Sequence, residues 1–482
     1  MTNFTPTPEQ QAIIDFARER TENLAVVARA GAAKTSTLVL VAEALPDTPI
    51  LCLAFNKSIA TEMQERLPSN CESKTLHGLG YAAWSGFVRK KFKVDSRKCY
   101  GLLREEIAKL EAEDRDEAFE HLAETLDIVT KSKQAGWLPE SFRGHWKPLI
   151  DDESFFASLP MEPTRLQCML ASAVAEASFK LALEGTIDFD DMIFCPAICQ
   201  VSWPTKPLTL VDESQDLSPI NHHILKKLVK RNRLIAVGDP CQAIYGFRGA
   251  DTKSMPNLIR MFDMETLHLT VSFRCGSNIT ENAKWRAPDM RSPSWAEPGE
   301  VHRPLSWSPD EVLEGDAVVC RNNAPLFSLA LKLIEHDKLP VIAGRDIGAP
   351  LVKLMRKLGK PSMLALAAID AVNDWEKREL ARARDGAGGA IRDKAEIVRI
   401  MCNRTKTLGD AIAYLEHLLN RDGRIQLMTG HKSKGLEFDR VWFLDQHLCN
   451  LDHEQDANIK YVIETRPKKF LAYVDSGSFT TV

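Results

Sequence analysis

An apolar run, a turn and a helical pattern follow one another twice near the start of the chain, and this alternation constrains the fold more than any other feature. Leu24–Ala28 reads as a buried strand and Lys34–Leu45 as a helix; Ile50–Phe55 reads as a second strand and Lys57–Leu67 as a second helix. Strand–helix alternation of this kind predicts a parallel sheet covered on both faces. Strand texture returns at Leu208–Val211, Leu234–Val237, Ala317–Cys320, Val341–Ala343, Ile425–Met428, Val441–Leu444 and Phe470–Val474, enough for two parallel sheets. Residues 100–185 are instead rich in Ala, Leu, Glu and Lys, with Leu102, Leu103, Ile107 and Leu110 at helical spacing, and read as a helical insertion. Residues 285–310, with five prolines and three tryptophans, read as irregular; residues 349–424 are helical in pattern around a Gly-rich tip at Asp385–Gly389. The expected class is α/β, with two parallel-sheet domains and helical insertions.

Composition narrows the function classes. A chain of 482 residues suggests about three domains. With 44% apolar and 27% charged residues it is an ordinary globular sequence, which excludes disordered, collagen-like and disulfide-scaffold chains. Sixty-two basic residues against 66 acidic ones leave a net charge of −4, so any nucleic-acid site must be local. The eleven cysteines are scattered, and Cys195/Cys199 has no second pair at zinc spacing, so reduced thiols are expected. The start MTNFTPTPEQ lacks a basic and an apolar signal region, and runs such as Leu38–Leu45 are too short to span a bilayer. A soluble, cytoplasmic protein without a membrane partner is the expectation.

Two segments carry chemistry. Ala28-Arg29-Ala30-Gly31-Ala32-Ala33-Lys34-Thr35 follows a strand and opens a helix, the context of a phosphate-binding loop. Backbone N–H groups at the helix start hold phosphates, Lys34 reaches the β- and γ-phosphates, and the Thr35 hydroxyl holds Mg²⁺. Ala28 and Ala33 stand where the pattern has glycine; if residue 33 needs φ > 0, alanine costs about 1 kcal/mol or more. Leu208–Val211 is followed by Asp212-Glu213-Ser214-Gln215-Asp216, two carboxylates at the strand end where parallel sheets bind ligands. Asp212 is placed to hold Mg²⁺ and Glu213 to orient and deprotonate the attacking water.

Further motifs resemble the superfamily 1 DNA helicases of the UvrD/Rep-like group through most of the chain. Thr7-Pro8-Glu9-Gln10 is similar to the Q motif, which implies that Gln10 reads the adenine. Val237–Ala250 is a near-complete motif III, which implies that Gln242 senses the γ-phosphate and that Tyr245, Phe247 and Arg248 lie on the DNA side; Phe247 stands where many relatives have Trp. Leu269-Thr270-Val271-Ser272-Phe273-Arg274 resembles motif IV, with Phe273 against the adenine, Arg274 on the γ-phosphate and Ser272 in place of the usual Asn. Met428–Phe438 resembles motif V, with Thr429 and His431 facing DNA and Gly435 and Glu437 near the nucleotide. Tyr461–Arg466 resembles motif VI, with Arg466 as arginine finger; Pro467 replaces the usual Ala, so the helix carrying this motif is expected to be altered. Gly31, Ala32, Ala33, Lys34 and Thr35 complete the implied ATP site, and the implied cofactors are ATP and Mg²⁺. An arginine supplied from a second element to phosphoryl transfer is worth about 10³–10⁵ in rate.

The implied DNA track adds Phe55 and Asn56 in Ala54–Lys57, and Thr75 and His77 in Lys74–His77. Phe55 at a strand tip suits base stacking and Thr75 a phosphate. Basic clusters occur at Arg89–Lys93 and at Lys226, Lys227, Lys230, Arg231 and Arg233, and Asp188–Met192 resembles a family signature read as structural. The resemblance implies two RecA-like domains with ATP between them. The first is expected over 1–84 and 186–280 around the helical accessory insertion 85–185. The second is expected over 281–348 and 425–482 around a reduced accessory insertion at 349–424. With 16 residues after Arg466, no RecB-type nuclease domain is expected. The expected function is an ATP-dependent helicase moving 3′ to 5′ on single-stranded and forked DNA, in a bacterial or phage-infected cell and alongside replication or recombination proteins. Two alternatives stay open: a DNA-stimulated translocase that strips proteins but unwinds weakly, and a DNA-binding loader whose nucleotide site is impaired by Ala33 and Pro467.

Overall fold

The computed structural model describes residues 5–246, 251, 253–343, 345–384 and 388–479, the side chains of 345–347 excepted. The chain forms two compact units, one of residues 1–28 and 33–269, the other of Arg29–Ala32 and Thr270–Val482. The division therefore falls after Leu269, ahead of the expected boundary at 280.

The first unit is built on a six-stranded sheet. Its strands are β1 (Leu24–Ala28), β2 (Ile50–Ala54), β3 (Cys71–Thr75), β6 (Leu208–Val211), β7 (Arg233–Gly238) and β8 (Glu265–Leu269). A separate short pair joins β4 (Lys93–Val94) to β5 (Thr186–Ile187). The sheet order is β3-β2-β6-β7-β1-β8 and every pairing is parallel. Apolar runs such as Leu24–Ala28 are almost wholly buried because helices cover both faces. Parallel pairing also puts all the strand C-termini, and the loops that follow them, along one edge. β3 and β8 escaped the sequence pattern because both are edge strands with polar residues, Glu72, Ser73 and Lys74 in one, Glu265, Thr266 and His268 in the other.

Helices α1 (Pro8–Glu19), α2 (Lys34–Glu43), α3 (Lys57–Arg66) and α4 (Leu76–Val88) surround the first strands. The insertion has its own core, in which Leu103, Ile107, Val129, Trp137, Phe155 and Val174 pack together. Its helix Arg165–Glu184 is long and apolar enough to cross a membrane by composition, yet Leu170 and Val174 lie in that core and Phe179 and Ala182 in the core under the sheet. A buried ion network ties the insertion to the segment before β6. Lys98 pairs with Asp191, and Lys133 with Asp188 and, at 2.8 Å, with Asp191.

The second unit also holds a six-stranded sheet. Its strands are β9 (Glu300–His302), β10 (Ala317–Cys320), β11 (Pro340–Ile342), β12 (Ile425–Thr429), β13 (Phe438–Leu444) and β14 (Pro467–Val474). The order is β11-β12-β10-β13-β14-β9, again wholly parallel. Helices Arg345–Leu358, Ala365–Arg382, Gly388–Cys402 and Leu408–Asn420 fill the reduced insertion. Their Met355, Val372, Val398 and Leu415 join one core with Val318, Leu427 and Trp442 of the sheet.

Candidate active site and nucleic-acid interface

Three loops on the C-terminal edge of the first sheet carry the residues expected to act on phosphate. The loop after β1 runs into α2 through Ala33, whose backbone is left-handed at φ 55°, ψ 41°. An alanine there costs about 1–2 kcal/mol relative to glycine's free access. The loop after β6 contains a second left-handed residue, Glu213 at φ 51°. Strain of this kind concentrates where a site over-determines its backbone. Lys34 Nζ lies 3.3 Å from Glu213 Oε1, and the Thr35 hydroxyl donates to Asp212 Oδ2 at 2.6 Å. Asp212 is buried, and burial, then the neighbouring Glu213 charge, push its carboxyl up to about 6. A hydroxyl and a buried carboxylate sharing one oxygen-rich seat fit Mg²⁺, a hard cation that takes oxygen ligands.

Gln215 was passed over in the sequence, although it stands in the acidic motif. Its Nε2 donates to Glu213 Oε2, and its Oε1 accepts from the Asp239 N–H at 3.0 Å. Asp239 Oδ2 accepts from Gln242 Nε2 at 2.7 Å. Glu213, the expected base, and Gln242, the expected γ-phosphate sensor, are thus joined by a continuous hydrogen-bonded chain. Gln10 is fully buried: its Oε1 accepts from the Thr7 N–H and its Nε2 donates to the Thr37 hydroxyl, both at 3.0 Å.

The second unit assembles its own group. The Phe273 N–H donates to the Gly31 carbonyl at 2.9 Å. Gly31 is left-handed at φ 73°, and a Cβ on it would fall 2.7 Å from the Arg274 Cβ, so glycine is required there. Arg274 Nε donates to Glu437 at 3.1 Å and its Nη1 to the Thr465 carbonyl at 3.2 Å. Glu437 also pairs with Lys468 at 2.6 Å, and Lys468 first, then Arg274, hold its carboxyl below the usual range. Gly435, at φ 85°, has open space around it. Arg466 is buried: it donates to the carbonyls of Val462 and Leu436 and to the Thr465 hydroxyl, at 2.8, 3.1 and 3.2 Å. Pro467 does not alter the motif's helix, which ends at Glu464; it opens β14, where a missing N–H is tolerated.

Aromatic rings gather just beyond the ends of β2 and β3, Phe55 in the turn before α3 and His77 in the first turn of α4. Phe55, 41% exposed and so no core residue, stacks on Tyr245 with ring centroids 5.7 Å apart and planes within 7°. His77 stacks on Phe189 at 4.2 Å, and Phe189 is itself 61% exposed. Burial pushes His77 down to about 4, so it meets any ligand as a neutral ring. Phe189 sits in the segment read as structural; only its display on the surface reveals a second platform. Asn56 and Thr75 cap helices: their side chains accept from the N–H groups of Ile59 and Gly78. Thr429 is buried at the end of β12 and His431 half-buried in the turn that follows. Phe247 and Arg248 lie outside the described residues. Of the basic clusters, Arg89, Lys90, Lys91 and Lys93 are exposed while Phe92 packs against Tyr81. Lys227 and Arg233 instead bond backbone carbonyls, of Ala197 and Cys199 and of Phe16, Ala17 and Glu22 respectively.

Comparison with known proteins agrees with this geometry. The UvrD/REP helicase N-terminal domain model matches residues 7–263, more than half of the chain. The F-box DNA helicase 1 of Gallus gallus is 26% identical over 96% of this chain and 48% of its own length. The F-box DNA helicase protein 1 of Schizosaccharomyces pombe is 24% identical over 98% of this chain and 57% of its own. The ATP-dependent DNA helicase UvrD1 of Mycobacterium tuberculosis is 26% identical over 54% of this chain and 36% of its own. The chain spans about half the length of the F-box helicases and a smaller share of the mycobacterial one. On the family match and the motifs that carry it, the chain belongs to the UvrD/REP helicase family.

Proposed function

We propose that the chain hydrolyses ATP with Mg²⁺ and uses the reaction to move 3′ to 5′ along single-stranded DNA and open duplex ahead of it. The observation that carries this reading is the first sheet's C-terminal edge. Lys34, Thr35, Asp212, Glu213 and Gln242 follow β1, β6 and β7, while Phe55 and His77 follow β2 and β3. A phosphate site and a group of aromatics that includes the exposed Phe55 and Phe189, carried by one unit, suit an enzyme that couples a nucleotide to a strand of bases. Thr35 and Asp212 would hold the metal, which would offset phosphate charge when bound. Glu213 orients the attacking water and accepts its proton; Gln215 and Asp239 carry its position to Gln242. Lys34 supplies positive charge to the γ-phosphate, and the family resemblance assigns the same role to Arg274 and Arg466.

The relatives' names support a DNA substrate, and eleven free cysteines suit a reducing, cytoplasmic setting. Forked DNA and replication or recombination proteins are the partners this reading assigns. The impaired-loader alternative rested on Ala33 and Pro467. Pro467 is accommodated in β14, and the Ala33 strain is small beside the charge interactions a triphosphate gains. The test is unwinding of duplexes with 3′ or 5′ single-stranded tails, beside a protein-displacement assay. Opening of only the 3′-tailed duplex supports the reading; displacement without unwinding favours the translocase.

A further inference from the structure

The Glu213 carboxylate is held from two directions, both within the first unit. Oε1 lies 3.3 Å from Lys34 Nζ, and Oε2 accepts from Gln215 Nε2. In the reading above the Lys34 ammonium turns to the γ-phosphate, which takes it away from Oε1. The terminal torsion of a glutamate is broad, so its carboxylate then keeps one orientation only if the group on Oε2 is itself fixed.

Gln215 is fixed. It is 1% exposed, in the short turn Ser214–Asp216 that follows Glu213. Its Oε1 accepts from the Asp239 N–H at 3.0 Å. A backbone N–H can only donate, so this bond decides which end of the amide is oxygen and turns the NH₂ group toward Glu213. Asp239 is anchored in turn, its Oδ1 accepting from the Cys241 N–H at 3.1 Å and its Oδ2 from Gln242 Nε2 at 2.7 Å. A Cβ on Gly238 would fall 2.5 Å from Gln215 Oε1 and 2.7 Å from Ser214 Oγ, so the amide sits in space that only a glycine leaves open. Most side-chain hydrogen bonds go to backbone or water. This amide instead donates to two carboxylates, Glu213 Oε2 and, at 3.5 Å, Asp216 Oδ2.

We propose that Gln215 is the positioning residue of the hydrolytic base: it fixes Glu213 Oε2, so that Oε1 faces the attacking water once Lys34 has turned to the phosphate. In this assignment Gln215 touches neither water nor phosphate and acts only through Glu213. The inference rests on the ATP reading above and adds to it the group that keeps the base aimed.

The test is phosphate release from ATP by the full chain with saturating single-stranded DNA, kcat and KM being measured separately. Gln215→Met keeps the length of the side chain and removes its donor. Gln215→Glu also removes the donor but keeps the acceptor for the Asp239 N–H, which guards against a variant that fails to fold. Both should lower kcat by about thirty- to a hundredfold, the scale of a slightly misplaced reacting group, and leave KM for ATP and single-strand binding within about threefold of the parent. In a Glu213→Gln background, Gln215→Met should cost less than about threefold more, since a residue that acts through the base has nothing left to aim. The inference is overturned if either variant keeps kcat within about threefold of the parent, or if Gln215→Met costs as much in the Glu213→Gln background as in the parent. It is equally overturned if KM and single-strand binding worsen in step with kcat, the mark of a damaged loop. A parent that releases no phosphate, or a Glu213→Gln variant that keeps the parent rate, would sink the ATP reading itself, and this inference with it.

Discussion

Glu464 shows how one buried group sets a pH dependence. It is almost fully buried in the second unit, with Oε2 accepting from Trp285 Nε1 at 2.6 Å and Oε1 from the Tyr473 hydroxyl at 2.5 Å. Burial pushes its carboxyl up from 4.5 to about 7, against the pull of those two bonds and of Lys460. Between those values the folded chain keeps a proton that the unfolded chain has released, so stability falls as pH rises from 4.5 and the loss is complete above 7. Glu464→Gln holds the neutral state permanently. It should raise the melting temperature by several degrees at pH 8 and leave it near the parent value at pH 5, checked by thermal unfolding at both. Ala33 offers a second residue-scale test. Ala33→Gly relieves the left-handed strain and adds some unfolded-state entropy, for a net gain of up to about 1 kcal/mol in denaturant unfolding. A loss would mean that the alanine methyl packs usefully in the loop.

Among elements, the attachment of the helical insertion depends on charge rather than on apolar contact alone. Lys98 and Lys133, both buried, face Asp188 and Asp191, and the two aspartates also bond each other's N–H groups at 3.0 and 2.8 Å. Lys133→Met leaves carboxylate charge buried without its partner and should cost about 3–5 kcal/mol, read from the urea midpoint. Lys133→Met with Asp188→Asn should cost less than Lys133→Met alone, because the orphaned charge is removed as well. Central strands were plain in the sequence because burial on both faces makes them continuous apolar runs: Leu24–Ala28, Leu208–Val211 and Ala317–Cys320 match their observed bounds. The edge strands β3, β8 and β9 were not, since a strand with one open side keeps polar residues. The phosphate loop and acidic motif were legible because their spacing is local. Gln215 as a relay and Phe189 on His77 were not, because each depends on segments brought together only by folding.

For the whole molecule, the near-neutral balance of 62 basic and 66 acidic residues conceals two local demands. Acidic Asp212 and Glu213 are proposed for the metal and the water, while the proposed DNA side carries neutral aromatics and the exposed Arg89, Lys90, Lys91 and Lys93. Because the proposed DNA track is lined by aromatics more than by cations, affinity for DNA should rest more on stacking than on counterion release. Phe55→Ala should therefore weaken single-strand binding by about 1–3 kcal/mol and leave the salt slope of binding unchanged, measured by fluorescence anisotropy across a salt series.

The most direct measurement is the rate of phosphate release from ATP with and without single-stranded DNA, for the parent, Lys34→Ala and Glu213→Gln. The parent should release phosphate several-fold faster with DNA present, and both variants should fall by at least about a hundredfold while still binding DNA. Glu213→Gln turning over ATP at the parent rate, or a parent indifferent to DNA, would contradict an ATP-driven motor built on this site.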